Sequence, residues 1–167
     1  MNEKDKENFD KLVELENKSI QTICDSWNCQ YVFTNKQNNM YATFDGIFIR
    51  DNSIKGFYEV KVRTQTFSWF KDYKSILVSY NKITNGQIMS KAFNCSFFMV
   101  IRTSCNNILV FKITDDKGNL VCPINVRYTQ TQKSTTFDKG IDNKKISTNA
   151  YLLLEDNPCL FVFKDND

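Results

Sequence analysis

The chain has 167 residues, the size of one ordinary domain, and its 41% hydrophobic and 25% charged content excludes disordered and fibrous classes. Histidine is absent, which excludes Ser-His-Asp and Cys-His catalysis, His-ligated metals and imidazole bases, leaving carboxylate, lysine, cysteine or oxygen-ligated metal chemistry. The formal net charge of +3 is too small to mark a nucleic-acid binder by charge alone.

The longest apolar run, Phe97–Ile101, is too short to span a bilayer. The chain opens on charged residues rather than a basic-then-apolar leader, so a soluble, non-secreted, cytoplasmic protein is expected. The cysteines Cys24, Cys29, Cys95, Cys105, Cys122 and Cys159 form no CxxC pair and read as free thiols in a reducing compartment rather than a zinc site. No repeat, low-complexity tract or Pro/Gly/Ser linker divides the chain, which reads as one domain, residues 1–167.

In chain order, a helix is predicted over Lys4–Trp27, with Phe9, Leu12, Val13, Ile20, Ile23, Cys24 and Trp27 on one stripe and Glu16 within it. A short strand, Gln30–Thr34, precedes a hairpin: Thr43–Arg50, a turn over Asp51–Lys55, then Gly56–Arg63. A second helix is predicted over Tyr80–Phe93 with Ser79 as N-cap. The strands Phe97–Thr103 and Asn107–Thr114 follow. A β-rich tail carries candidate strands at Leu120–Tyr128, Tyr151–Leu154 and Leu160–Phe163, with Thr129–Asn149 read as a polar loop. The fold class is mixed α+β.

The hairpin concentrates charge. Glu59 and Lys61 are two residues apart and project from one face of their strand. A five-residue turn would pair Arg50 with Gly56 and set Asp45 opposite Lys61, with Glu59 on the diagonal. The neighbours Ile47, Ile49 and Phe57 mark that face as covered. Packing the first helix on it would bring Glu16 towards Asp45 and Glu59. Carboxylates buried together need a proton or cation, and magnesium is the common hard-oxygen choice.

Asp45, followed after thirteen residues by Glu59-Val60-Lys61, resembles the motif of the PD-(D/E)xK, or restriction-endonuclease-like, nucleases. The element order resembles that superfamily's αβββαβ core over about residues 4–114, leaving 115–167 as a β-rich extension. The resemblance implies a Mg2+-dependent (or Mn2+-dependent) endonuclease acting on DNA, as a homodimer or junction-resolving enzyme. It assigns metal binding to Asp45, Glu59 and the Val60 carbonyl. It gives Lys61 the attacking water or scissile phosphate, Glu16 the role of a further acid, and Lys82 a supporting, nucleic-acid-binding role. Phe44 stands where the family's proline would precede the aspartate.

Other readings stand beside this one. Glu16 could pair with a lysine at the stripe's edge, Asp45-Gly46 could mark a bulge or turn, and Glu59 and Lys61 could form the polar side of an amphipathic strand. The fold could then serve as a non-catalytic nucleic-acid-binding or protein-interaction module, or hold a structural ion in a ligand-sensing or assembly protein. The aromatic cluster Phe67, Trp69, Phe70 and Tyr73 is expected to pack inside the fold rather than stack on bases. Lys71 and Lys74 are expected to be solvated. Arg127, Lys133, Lys139, Lys144 and Lys145 read as a solvated basic loop, with phosphate contact as the alternative.

Overall fold

The computed structural model describes residues 3–34, 43–132 and 144–165. The first element, α1 (Glu3–Trp27), follows the predicted helix. Only the second half of its stripe is covered: Ile20, Ile23 and Cys24 are buried, whereas Phe9 and Leu12 are exposed.

The strands β1 (Gln30–Phe33), β2 (Gly46–Arg50) and β3 (Ser53–Val62) form an antiparallel meander. The hairpin turn is tighter than its sequence suggests. Asp51 and Asn52 alone make it, at φ of 53° and 56°, the left-handed pair of a two-residue hairpin loop. A register shift beside Phe48 and Ile49 then sets Gly46 against Tyr58. The Asp45 N–H also donates to Tyr58 O at 2.9 Å, so Asp45 stands beside Tyr58 with Gly46 and not opposite Lys61. The pairing of Gly46, Ile47 and Phe48 differs from the expected one by two residues, and that of Ile49 and Arg50 by three. Because side chains alternate with period two, the two-residue error keeps Gly46, Ile47 and Phe48 on the faces expected relative to β3, whereas the three-residue error does not do so for Ile49 and Arg50.

Two elements had no counterpart in the sequence reading: α2 (Phe67–Tyr73) and β4 (Ser75–Ser79). Seven residues are too few to reveal a helical period, but the caps are legible in the structure. Thr66 Oγ1 accepts from the Trp69 N–H, and Lys74 ends the helix at φ 58°. Of the aromatic cluster, Phe70 is buried, while Trp69 and Tyr73 are exposed and stacked on each other at 4.1 Å.

Helix α3 (Tyr80–Phe93) has the predicted bounds, although the Ser79 hydroxyl makes no capping bond. Gly86 has a packing reason: a Cβ there would lie 2.1 Å from the Phe97 ring. Then follow β5 (Ser96–Arg102), β6 (Asn107–Lys112), β7 (Ile124–Gln132), β8 (Lys144–Leu153) and β9 (Leu160–Lys164). The described parts of the expected loop Thr129–Asn149 are therefore strand, with β7 and β8 paired from Thr129–Ser147 to Gln132–Lys144. Lys133 and Lys139 lie outside the described residues.

A six-stranded sheet has the order β1-β2-β3-β5-β6-β9, with β3 and β5 parallel, and a three-stranded sheet has the order β4-β8-β7. One face of the large sheet, bearing Phe48, Tyr58, Val60 and Val100, packs on α1. The other, bearing Phe57, Phe97, Met99 and Ile101, shares a core with Ile83 of α3 and with Ile76, Val78, Ala150 and Leu152 of the small sheet. Burying each such side chain contributes about 1.5–3 kcal/mol. A buried arginine ties the C-terminal segment down: Arg102 donates to Asp165 at 2.7 Å, to Asn106 at 3.0 Å and to Ser19 of α1 at 3.2 Å.

The cysteines are free thiols. Cys24, Cys95 and Cys122 are buried, and the Cys24 and Cys29 sulfurs lie 3.4 Å apart. Among the described residues no helix is long and apolar enough to cross a membrane.

Candidate active site

The site is built where β2 stops and β3 continues. β2 begins at Gly46, opposite Tyr58, so β3 beyond Tyr58 has a ladder partner on its β5 side only. The Arg63 N–H donates to Arg102 O of β5. By strand alternation, the N–H and C=O of Val60 therefore point the other way, into the gap left by β2. Asp45 fills that gap: its Oδ2 accepts the Val60 N–H at 2.7 Å. The Val60 carbonyl opens on the same side, beside a carboxylate that is only 4% exposed. The segment carrying Asp45 is pinned from β1's end, where Thr34 Oγ1 donates to Phe44 O at 2.7 Å and Asp45 O at 3.0 Å.

Glu59 is 1% exposed and stands on the face covered by α3. Its Oε1 pairs with Lys61 Nζ at 2.6 Å, and Lys82 Nζ lies 3.1 Å from both Oε1 and Oε2. Lys82, in the first turn of α3, also reaches the Thr43 carbonyl at 3.5 Å. Burying an ionised carboxylate costs several kcal/mol without a counter-charge, and two lysines supply it here. Both lysines remain partly exposed, so the cluster opens to solvent on their side.

Glu16 arrives differently from expectation. α1 packs on the face of Tyr58 and Val60, opposite the side chains of Glu59 and Lys61, so the helix stripe does not carry Glu16 onto the Glu59 face. Alternation could not reveal this, because Phe57, Tyr58, Glu59 and Val60 are all buried and both faces look covered. Glu16 instead shares the surroundings of the Tyr58 hydroxyl with Asp45. Burial pushes that hydroxyl's pKa up, and the charges of Cys24, Asp45, Tyr31 and Glu16 push it further. Among the described residues, no three acidic or thiol side chains gather into a metal-holding group. The structure thus joins Asp45 to Val60, and Glu59 to Lys61 and Lys82, while Glu16 reaches the neighbourhood through Tyr58.

Sequence reasoning missed Tyr58 itself. Its hydroxyl is buried with no hydrogen-bond partner among the described residues. Gly46 makes room for it, since a Cβ there would sit 2.2 Å from Oη and 2.5 Å from Val32 O. The Asp45-Gly46 dipeptide was the available signal, and it marks this close approach rather than a turn. Thr34 and the Thr43 carbonyl had no signal, because their contacts depend on how β1 meets the segment before β2.

The site thus sits on a mixed α+β core, with Asp45 before β2 and with Glu59 and Lys61 on β3. The profile of the family described as "phage putative PDDEXK endonuclease" matches residues 7–127, and the chain belongs to that family. Among solved structures, it is similar to Hjc, a Holliday junction resolvase of the archaeal hyperthermophile Archaeoglobus fulgidus. The two share 12% identity over 62% of this chain and 71% of that one, with a TM-score of 0.39. No curated protein matches.

Proposed function

We propose that this chain is an endonuclease that hydrolyses DNA phosphodiester bonds with a divalent ion, Mg2+ or Mn2+. The observation that carries the reading is the break in the ladder beside β3, where a buried Asp45 binds the Val60 N–H and a buried Glu59 lies next in line with two lysines. The donors available there suit such an ion. Two carboxylates and the Val60 carbonyl are hard oxygens, and Mg2+ commonly takes one or two carboxylates and keeps water and phosphate as its remaining ligands. Asp45, Glu59 and Val60 would hold it. When bound, it supplies charge to a phosphoryl oxygen and lowers the pKa of water.

The remaining roles fall to the chain's own groups. Lys61 offers its ammonium to the attacking water or the scissile phosphate from the face that Glu59 shares. Lys82 neutralises Glu59 and is placed to meet a neighbouring phosphate. Glu16 is the further acid, acting from the α1 side. A homodimer would present two such sites to the two strands of a duplex or a junction.

One observation favours a second reading. Glu59 already carries two cations, so the cluster is satisfied as a structural ion-pair set in a non-catalytic binding module. Incubation with plasmid, linear, single-stranded and branched DNA, with and without Mg2+ or Mn2+, separates the two. Metal-dependent cutting that falls at least about a hundredfold in Lys61→Ala supports the enzyme. No cutting with either ion overturns it and leaves the binding module. Cutting that survives in Lys61→Ala refutes the role given to that lysine.

A further inference from the structure

The small sheet is not flush with its neighbours. β4 ends where Ser79 pairs with Asn149, whereas β7 and β8 stay paired as far as Gln132 and Lys144. The segments 128–132 and 144–148 therefore form a two-stranded ribbon running beyond β4. Side-chain exposure shows it leaving the protein. On one face Ile124, Ala150 and Leu152 belong to the core, but the next residues on that face, Val126, Tyr128 and Ile146, are 45%, 81% and 75% exposed. Tyr128 pairs with Thr148 and Ile146 with Gln130, which makes Tyr128 and Ile146 diagonal neighbours. The opposite face is braced: Arg127 lies over the Tyr151 ring at 5.6 Å, and Asn149 Nδ2 donates to Thr129 Oγ1 at 2.7 Å.

Charge is distributed unevenly. β7 and β8 contain Arg127, Lys144 and Lys145 and no acidic residue, and the segment between them is balanced. That is the whole of the chain's net +3, so the remainder sums to zero. The ribbon is also rooted beside the candidate active site, since Ser79, at its base, immediately precedes the helix whose Lys82 holds Glu59.

We propose that the stretch of this ribbon bearing Val126, Arg127, Tyr128 and Ile146 is a groove-binding arm for double-stranded nucleic acid flanking the bond cut at the Asp45–Glu59 site; the proposal rests on the nuclease reading above. A two-stranded β-ribbon fits the major groove of B-form DNA. Arg127 meets phosphate and releases counterions, and Tyr128, Ile146 and Val126 supply an apolar edge for base-pair edges such as thymine methyls. A second copy of the chain is the poorer occupant, because a symmetric pairing would set two cationic ribbons with no acidic residue against each other.

The test uses the full chain, a labelled duplex and the matching single strand, with calcium replacing magnesium so that binding is read without cutting. Tyr128→Ala combined with Ile146→Ser is expected to weaken duplex binding about tenfold. Arg127→Ala is expected to make the log–log salt dependence shallower by about one phosphate contact. Circular dichroism on each variant confirms that the sheets persist. Unchanged duplex affinity in all variants overturns the proposal. An equal loss on single strands overturns the duplex assignment. A wild-type dimer that dissociates in the double variant, with duplex affinity kept, gives the patch to a second copy and overturns it too. Metal-dependent cutting with ribbon-independent affinity sinks the arm alone. Ribbon-dependent duplex binding without cutting under Mg2+ or Mn2+ sinks the catalytic reading alone.

Discussion

Replacing Tyr58 with phenylalanine is expected to stabilise the protein. The hydroxyl is buried and has no hydrogen-bond partner among the described residues, and an unsatisfied buried hydroxyl costs about 1–3 kcal/mol. Removing one oxygen forfeits only a few dispersion contacts, each about 0.1–0.2 kcal/mol, against the pocket that Gly46 leaves open. A net gain of about 1 kcal/mol should raise the urea midpoint at unchanged slope and move the melting temperature up by about 2–4 °C for a chain of this size. The pH dependence sharpens the test. Burial, then the charges of Cys24, Asp45, Tyr31 and Glu16, hold the Tyr58 pKa above its ordinary value. The folded state therefore keeps this proton while the unfolded state begins to release it near pH 10. Stability from this group is complete below that pH and is lost as pH rises beyond it, in the wild type only. The advantage of Tyr58→Phe should thus widen between about pH 8 and about pH 11. A destabilised Tyr58→Phe, or a gap between the two proteins that does not change with pH, would refute the argument and give the hydroxyl a partner.

Asp165→Ala should cost about 3–5 kcal/mol in urea unfolding, because it strands Arg102, itself 2% exposed, without its carboxylate; a loss below about 1 kcal/mol would mean that Ser19 and Asn106 suffice. Gly86→Ala should destabilise by about 1–3 kcal/mol, against the roughly 1 kcal/mol by which helix propensity favours alanine, since its Cβ would meet the Phe97 ring. A stabilised Gly86→Ala would show that α3 can shift freely. Cys105 should be the fastest cysteine to alkylate: the Phe67 N–H, then the Thr103 hydroxyl, bring its pKa down to about 7, whereas burial pushes Cys122 up to about 11. Mass spectrometry across neutral pH should show its rate rising with a midpoint near 7, and Cys105→Ser should remove the fast phase.

Much of the frame was legible because it rests on local signals. The stripe of α1 and the bounds of α3 follow from side-chain period and flanking residues, and the shared face of Glu59 and Lys61 needs only strand alternation. What was not legible depends on partners distant in sequence. The pairing of Asp45 shifted because the chain turns on Asp51 and Asn52 alone and then slips register beside Phe48. The side taken by α1 was hidden because β3 is buried on both faces, so the apolar residues near Asp45 pointed to a cover without saying which helix supplied it. Lys82 was named from resemblance, but its bond to Glu59 exists only because the β3–β5 crossover returns α3 over that strand. Tyr128 and Ile146 look in sequence like ordinary strand residues; only the early end of β4 leaves them outside.

The C-terminal segments also change how separable the parts of this chain are. In sequence they follow the αβββαβ order as an appendage. In space β9 lies along β6, at the rim of the large sheet, and β8 lies along β4. Without them both strands would show a row of unpaired backbone groups flanked by apolar side chains such as Ile108 and Ile76, the kind of edge that recruits neighbouring molecules. The appendage is therefore a seal on the nuclease core, and protection against aggregation shares its residues with the ribbon. Shortening or recharging that segment in evolution would act on solubility and on substrate contact together.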